Sequence, residues 1–278
     1  VTQAVNVPRG QIDDSLWIDN QRLRASGETF VDVDDSASEQ VIASVRSATR
    51  DDVDRAFAAA RRAQSSWAQV PVEERIRVVR EAVRILEASG AALADVLVSE
   101  VGTLASSVDK VQVGFGLTAI TVTADNALQA FETQQLANST VVKQPAGVVA
   151  AITPWNYPIF QVALKLAPAI IAGCSVVLKP PGVAPLTAFS MAEAFALAGL
   201  PAGVFNIVCG AGGEIGNYLA GHPEADFVSF TGSVSAGRAV ATAAAGQGTR
   251  NAMELGGKSA AIVWDDHLLE DAVRATFS

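Results

Sequence analysis

Four short motifs carry the polar groups best suited to chemistry, and each follows an apolar run. Trp155 and Asn156 stand between Pro154 and Pro158, where the Asn156 amide can donate to a developing oxyanion or brace its own loop. Lys179 leads into Pro180-Pro181-Gly182; its ammonium can bond a ribose hydroxyl or a phosphate, or simply end a strand in solvent. The prolines hold that loop rigid, which a freely solvated lysine does not require. Thr231-Gly232-Ser233, with Gly237 beyond, reads as the opening of a helix. Gly232 permits a tight turn, Ser233 can cap the helix, and the free N–H groups there favour an anionic phosphate. The same pair also makes an ordinary cap, and the spacing is not the G-x-G-x-x-G of a dinucleotide fold. Glu254, ahead of Leu255-Gly256-Gly257-Lys258, can serve as a general base or pair with Lys258.

These motifs lie in an alternation of two patterns. Apolar runs at 147–152, 175–179, 204–208, 225–231 and 250–254 read as strands, and helical spacing at 159–172, 187–198, 213–220 and 233–244 separates them. Near-continuous apolar strands between such helices predict a doubly wound parallel α/β sheet covered on both faces. Ligands of such sheets bind beyond the carboxyl ends of the strands, where all four motifs fall. Ahead of this core, residues 1–14 read as a polar surface arm, and short β-type runs to Val45 as small antiparallel strands. Thr49 or Asp51 caps a helix broken by Pro71, and further helices end at Gly90 and Gly102. A long helix is expected over 107–134, with Gly114 and Gly116 as weak points and Phe115 and Phe131 as core residues. The run 259–263 reads as a further strand and 268–277 as a helix.

Half of the residues are apolar and the net charge is −9, which argues against a phosphate-backbone binder and predicts no nucleic-acid partner. Cys174 and Cys209 are the only cysteines, both in strand-like apolar runs, so buried reduced thiols and a cytoplasmic setting are expected. No basic region followed by an apolar stretch opens the chain, and the apolar run 159–172 is too short and too interrupted to span a bilayer. His222 has no second histidine or cysteine nearby, which disfavours a metal site there, and His267 is the other histidine.

Taken together, Pro154-Trp155-Asn156-Tyr157-Pro158, Leu178-Lys179-Pro180, Phe230-Thr231-Gly232-Ser233 with Gly237, and Glu254-Leu255-Gly256-Gly257-Lys258 resemble the aldehyde dehydrogenase superfamily. The resemblance runs from the Glu-Val-Gly at Glu100 through most of the chain. It implies oxidation of an aldehyde to a carboxylic acid through a cysteine thiohemiacetal, hydride transfer to NAD or NADP, and thioester hydrolysis. By resemblance Asn156 is the oxyanion-hole side chain, Glu254 the base, and Lys165 a member of a proton relay. Lys179 would hold the adenosine ribose, while Pro154, Trp155, Asn156, Pro181, Gly182, Gly232, Ser233, Gly237 and Leu255 would line the rest of the cofactor.

The resemblance divides the chain into residues 1–136, an arm with strands and helices of the cofactor-binding domain; 137–146, a bridging β segment; 147–255, the dinucleotide-binding core; and 256–278, the start of a catalytic domain. The bridging segment implies a homodimer or homotetramer. Gly182 departs from the family, which often has an acid there to grip the ribose 2′-hydroxyl, so NAD and NADP both stay open. The family's nucleophilic cysteine lies in a later loop that these residues do not include, and neither Cys174 nor Cys209 matches it. The chain is therefore expected to be a truncated, inactive piece of a dehydrogenase; a non-catalytic dinucleotide-binding or oligomerisation module is the alternative.

Overall fold

A computed structural model describes residues 5–264 and 268–277. Five short strands come first: Gly10–Ile12 (β1), Leu16–Ile18 (β2), Gln21–Leu23 (β3), Phe30–Asp34 (β4) and Val41–Arg46 (β5). Arg50–Trp67 (α1), Val72–Ala88 (α2) and Gly90–Val101 (α3) follow. A π-helical turn, Asp109–Gly114, leads into Phe115–Phe131 (α4), and Gln134–Leu136 (β6) pairs with Ser139–Val141 (β7) as an exposed hairpin. The core then alternates Val148–Ile152 (β8), Pro158–Ala172 (α5), Ser175–Lys179 (β9), Leu186–Leu197 (α6) and Phe205–Val208 (β10). A π turn at Gly212–Gly216, Asn217–Ala220 (α7), Phe227–Gly232 (β11), Val234–Gly246 (α8), Arg250–Leu255 (β12) and Leu269–Phe277 (α9) complete it.

The main sheet runs β12-β11-β8-β9-β10-β2-β3, parallel from β12 to β10 and antiparallel beyond. Strand β8 is central: the chain builds outward to β9 and β10, then returns to its other side for β11 and β12, so the order reverses between β8 and β11. Side-chain alternation divides the core. Val149, Ala151, Val176, Leu178 and Ile207 face a layer with α2, α5 and α6, whereas Val148, Ala150, Ile152, Val177 and Val228 face α1, α7 and α8. Asp226 fixes the entry to β8 by accepting from Val148 N at 2.7 Å, and Gly147 (φ +118°) leaves the room a Cβ would take from that carboxylate.

Local chemistry explains the helix ends. Thr49 and Asp52 form a reciprocal capping box on α1, Pro71 starts α2, and Gly102 and Gly173 close α3 and α5 in the left-handed conformation. Among the described residues no helix is long and apolar enough to cross a membrane.

Several expectations are corrected. The supposed arm contains β1, which pairs in parallel with β5, and buries Val5 and Ile12. The long helix over 107–134 is a π turn, then α4 ending at Phe131, and Gln134 belongs to the hairpin. Phe115 stands exposed, its ring 6.4 Å from Phe160, rather than in the core. Residues 259–263 form no strand, because no neighbouring strand among the described residues offers them a ladder.

Candidate active site

The register of the parallel strands brings the four motifs to one edge. Ile152 pairs with Lys179 and with Phe230, and Phe230 with Met253, so these residues form one row across the sheet. Immediately beyond that row come Pro154-Trp155-Asn156, Pro180-Pro181-Gly182, Gly232-Ser233 and Glu254-Leu255. At about 4.8 Å per strand, Lys179 on β9 and Glu254 on β12 are roughly 14 Å apart. The motifs therefore share one edge of the sheet, across the point where strand order reverses, and ligands of doubly wound sheets bind at such an edge.

The two faces of the sheet separate the polar groups. Lys179 points to the α7 side, beside Gly216. Its side chain is 3 % exposed, and its Nζ has one partner among the described residues, the carbonyl of its own neighbour Pro180 at 3.1 Å. Burial lowers its pKa, against the opposing pull of the nearby Cys209 sulfur. An ammonium so enclosed has donors to spare, and hydroxyl or phosphate oxygens suit them. The Lys179 carbonyl also accepts from Thr153 N at 3.3 Å, which ties the exit of β8 to that of β9. Thr153 Oγ1 is buried without a partner among the described residues.

On the same side, Ser233 caps α8 by accepting from Ala236 N at 3.2 Å. The N–H groups of Val234 and Ser235 have no partner among the described residues, which leaves the helix end open to an anion. The glycines here act differently from expectation. Gly232 continues β11 with ordinary backbone and makes no turn; a Cβ on it would lie 2.6 Å from the Phe230 ring. Gly237 likewise leaves space for Leu255. Both let α8 and its strand close up beneath this edge.

The opposite face carries Lys165, Ser229 and Glu254. Lys165 is 8 % exposed and donates to Ser229 Oγ at 3.0 Å. Burial lowers its pKa to about 8, although the Glu254 carboxylate pulls the other way. Glu254 is exposed and makes no ion pair with Lys258, whose ammonium turns to the Gly257 carbonyl. Trp155 (57 % exposed) and Asn156 stand open at the centre of the edge. Among the described residues Asn156 uses only its carbonyl, which accepts from Gln112 Nε2 at 3.0 Å.

Both thiols are excluded from this edge chemistry. Cys209 is buried and pushed up to about 12, and burial also raises Cys174. His222 packs flat on Phe57, with ring centroids 3.9 Å apart, and bonds Asp54 at 3.1 Å; His267 lies outside the described residues. No group of histidine, cysteine or acidic residues among the described residues is placed to hold a metal ion.

The family model of the aldehyde dehydrogenase family matches residues 23–278. The chain belongs to that family. It is 41 % identical over 261 residues to a 3-succinoylsemialdehyde-pyridine dehydrogenase from a Pseudomonas species, covering 93 % of this chain and 54 % of the relative. A cysteine-to-alanine mutant of aldehyde dehydrogenase C from Pseudomonas syringae, solved with NAD+ and octanal, superposes with a TM-score of 0.91 at 38 % identity, over 95 % of this chain and 54 % of that one. Betaine aldehyde dehydrogenase from Staphylococcus aureus, solved with NAD+, gives 0.89 at 34 % identity over the same shares. The chain thus spans about half the length of the aldehyde dehydrogenases it matches.

Two residues at this aldehyde dehydrogenase edge escape a motif search. Ser229 looks like any polar residue in a half-buried strand, and only the partnership with Lys165 sets it apart. Gln112 carries a weak signal, as an amide on an otherwise apolar helix stripe.

Proposed function

We propose that the full protein oxidises an aldehyde to a carboxylic acid with NAD+ or NADP+ as acceptor, and that these 278 residues form its cofactor-holding part. The observation that carries the reading is Lys179, a nearly solvent-free ammonium at this sheet edge whose one acceptor among the described residues comes from its own neighbour. The N–H groups of Val234 and Ser235, without a partner among the described residues, stand at the same edge, so the hydroxyls and phosphates of a dinucleotide supply what both lack. The relatives solved with NAD+ support that ligand.

Bound there, the dinucleotide supplies the hydride acceptor. Pro154, Trp155, Pro181, Gly182, Gly232, Ser233, Gly237 and Leu255 would line it. The Asn156 amide would donate to the aldehyde oxygen as negative charge develops. Glu254 would take a proton from the nucleophile or the hydrolytic water, and Lys165, on the same face, would help to relay it. Both cysteines present are buried, so the attacking thiol would come from outside these residues. The chain by itself would then bind cofactor without turning over aldehyde, in the reducing cytoplasm that two free thiols suit. Residues 147–255 would be the dinucleotide-binding core and 256–278 the beginning of the catalytic part.

Exposed Leu136, Val141 and Val142 on the hairpin favour assembly into a dimer or tetramer through that segment. They also favour the second reading, a non-catalytic dinucleotide-binding or oligomerisation module. Aldehyde-dependent NADH or NADPH formation by the full protein separates the two readings.

The direct test is titration of the purified chain with NAD+ and NADP+, following its melting temperature, since a ligand bound only by the folded state raises it. A rise with either supports the site; no rise in a chain shown to be folded overturns it. Gly182→Glu adds an acid where a Cβ would meet only Val31 Cγ1 at 3.1 Å. It is expected to weaken NADP+ by roughly tenfold or more and to spare NAD+.

A further inference from the structure

Gln112 lies on the buried stripe that includes Val108, Val113, Leu117 and Ile120, and is itself 3 % exposed. Packing alone calls for an apolar side chain there. Its amide instead joins two distant segments: Nε2 donates to the Asn156 carbonyl at 3.0 Å and to Thr103 Oγ1 at 3.1 Å. A carbonyl only accepts, so the NH2 end must face Asn156 and the orientation of the amide is settled. Oε1 is buried without a partner among the described residues. A buried amide left half-satisfied is disfavoured, and such an exception asks for a reason.

The backbone around Gln112 is shaped to permit this bond. Residues Asp109–Gly114 wind as a π turn, a departure from α geometry that turns both Gln112 and Val113 inward. One turn later, a Cβ on Gly116 would fall inside van der Waals contact with Ile159 and 3.2 Å from Phe160 N. Its absence lets α4 lie against the first turn of α5, directly after the Asn156 loop. The side-chain amide of Asn156, by contrast, is exposed and makes no hydrogen bond among the described residues, so its aim depends on its main chain.

We propose that Gln112 is a positioning residue: by holding the Asn156 carbonyl from the π turn, it aims the Asn156 side chain at the aldehyde oxygen. The inference rests on the reading of Asn156 as oxyanion donor. The test is a double-mutant cycle in the full-length protein with Gln112→Met and Asn156→Ala, following kcat, KM, NAD+ affinity by tryptophan fluorescence, and melting temperature. Gln112→Met is expected to lower kcat by roughly tenfold, to change KM and NAD+ affinity less than about twofold, and to add nothing on the Asn156→Ala background. If Asn156→Ala leaves turnover intact, the reading of Asn156 falls and this inference with it. If Asn156→Ala is damaging while Gln112→Met is silent, or its effect multiplies that of Asn156→Ala, this inference alone falls. Should Gln112→Met lower the melting temperature markedly, Gln112→Asn, which keeps an amide but is one methylene too short to reach the Asn156 carbonyl, is read by the same criteria.

Discussion

Lys165 Nζ donates a 3.0 Å hydrogen bond to Ser229 Oγ, joining α5 to β11 on the face of the sheet that carries Glu254. Two effects compete on this ammonium. Burial disfavours its charge and Glu254 favours it, and burial wins, with the pKa falling from 10.5 to about 8. The difference corresponds to about 3 kcal/mol of disfavoured charge.

The sign of the consequence follows from proton counts. Between about pH 8 and 10.5 the unfolded chain holds a proton on Lys165 that the folded chain has released, so this group makes stability rise with pH there. Below pH 8 the burial penalty is fully present. Lys165→Met should therefore stabilise the protein near pH 7, by up to about 3 kcal/mol, and the gain should shrink above pH 8. Melting curves of both proteins from pH 6 to 10 test this; a gain that is constant with pH would refute the buried-ammonium account. Glu254→Gln removes the favourable partner and should start the shrinkage at lower pH.

Glu100 on α3 is the opposite case. Its carboxyl accepts from Leu186 N at 3.2 Å at the start of α6, while its other oxygen is buried without a partner among the described residues. Burial raises its pKa to about 8, against the pull of the Leu186 and Thr187 N–H groups. From about pH 4.5 to 8 the folded state keeps a proton that the unfolded state has lost, so this group makes stability fall as pH rises. Glu100→Gln retains an acceptor for Leu186 N and cannot ionise. Its melting temperature should match the parent near pH 5 and exceed it progressively to pH 8; a benefit largest at acid pH would contradict the assignment.

The buried thiols give a third expectation. With Cys209 pushed up to about 12 and Cys174 also raised by burial, almost no thiolate exists at neutral pH, and both side chains are buried. Reaction with a thiol-specific disulfide reagent should be slow in the native chain and complete in denaturant. Rapid labelling of either cysteine under native conditions would show that its cover opens readily.

Much of this architecture is legible in the order of residue types along the chain. Strands such as Val148–Ile152 and Ser175–Lys179 are buried on both faces, and continuous apolar runs between amphipathic helices announce that state. The polar residues at the strand exits then point to the ligand edge, because doubly wound sheets bind their ligands beyond the carboxyl ends of the strands. What escapes is what depends on distant partners. Leu16–Ile18 is too short to reveal that it extends the main sheet against β10, and Gly10–Ile12 is a strand only because β5 lies beside it. The run 259–263 has strand composition but no neighbour to pair with among the described residues. Lys165–Ser229 and Gln112–Asn156 connect residues 64 and 44 positions apart, and no local spacing rule reaches that far. Gly232 illustrates the limit within a motif: its presence is evident, but its reason is the Phe230 ring and not a turn.

Gly116 sets two effects of known size against each other. Replacing a mid-helix glycine by alanine gains about 1 kcal/mol of helix propensity. The new Cβ, however, would press on Ile159, whose side chain is fully buried and cannot step aside, and on the main-chain nitrogen of Phe160. Overpacking of that kind typically costs about 1–3 kcal/mol. Since the contact includes backbone, the upper part of that range applies, and Gly116→Ala should be destabilising by about 1–2 kcal/mol in net terms. Urea denaturation of the two proteins measures this directly. A more stable Gly116→Ala would mean that α4 and α5 stand farther apart than the geometry requires, and the same shift would loosen the hold of Gln112 on Asn156.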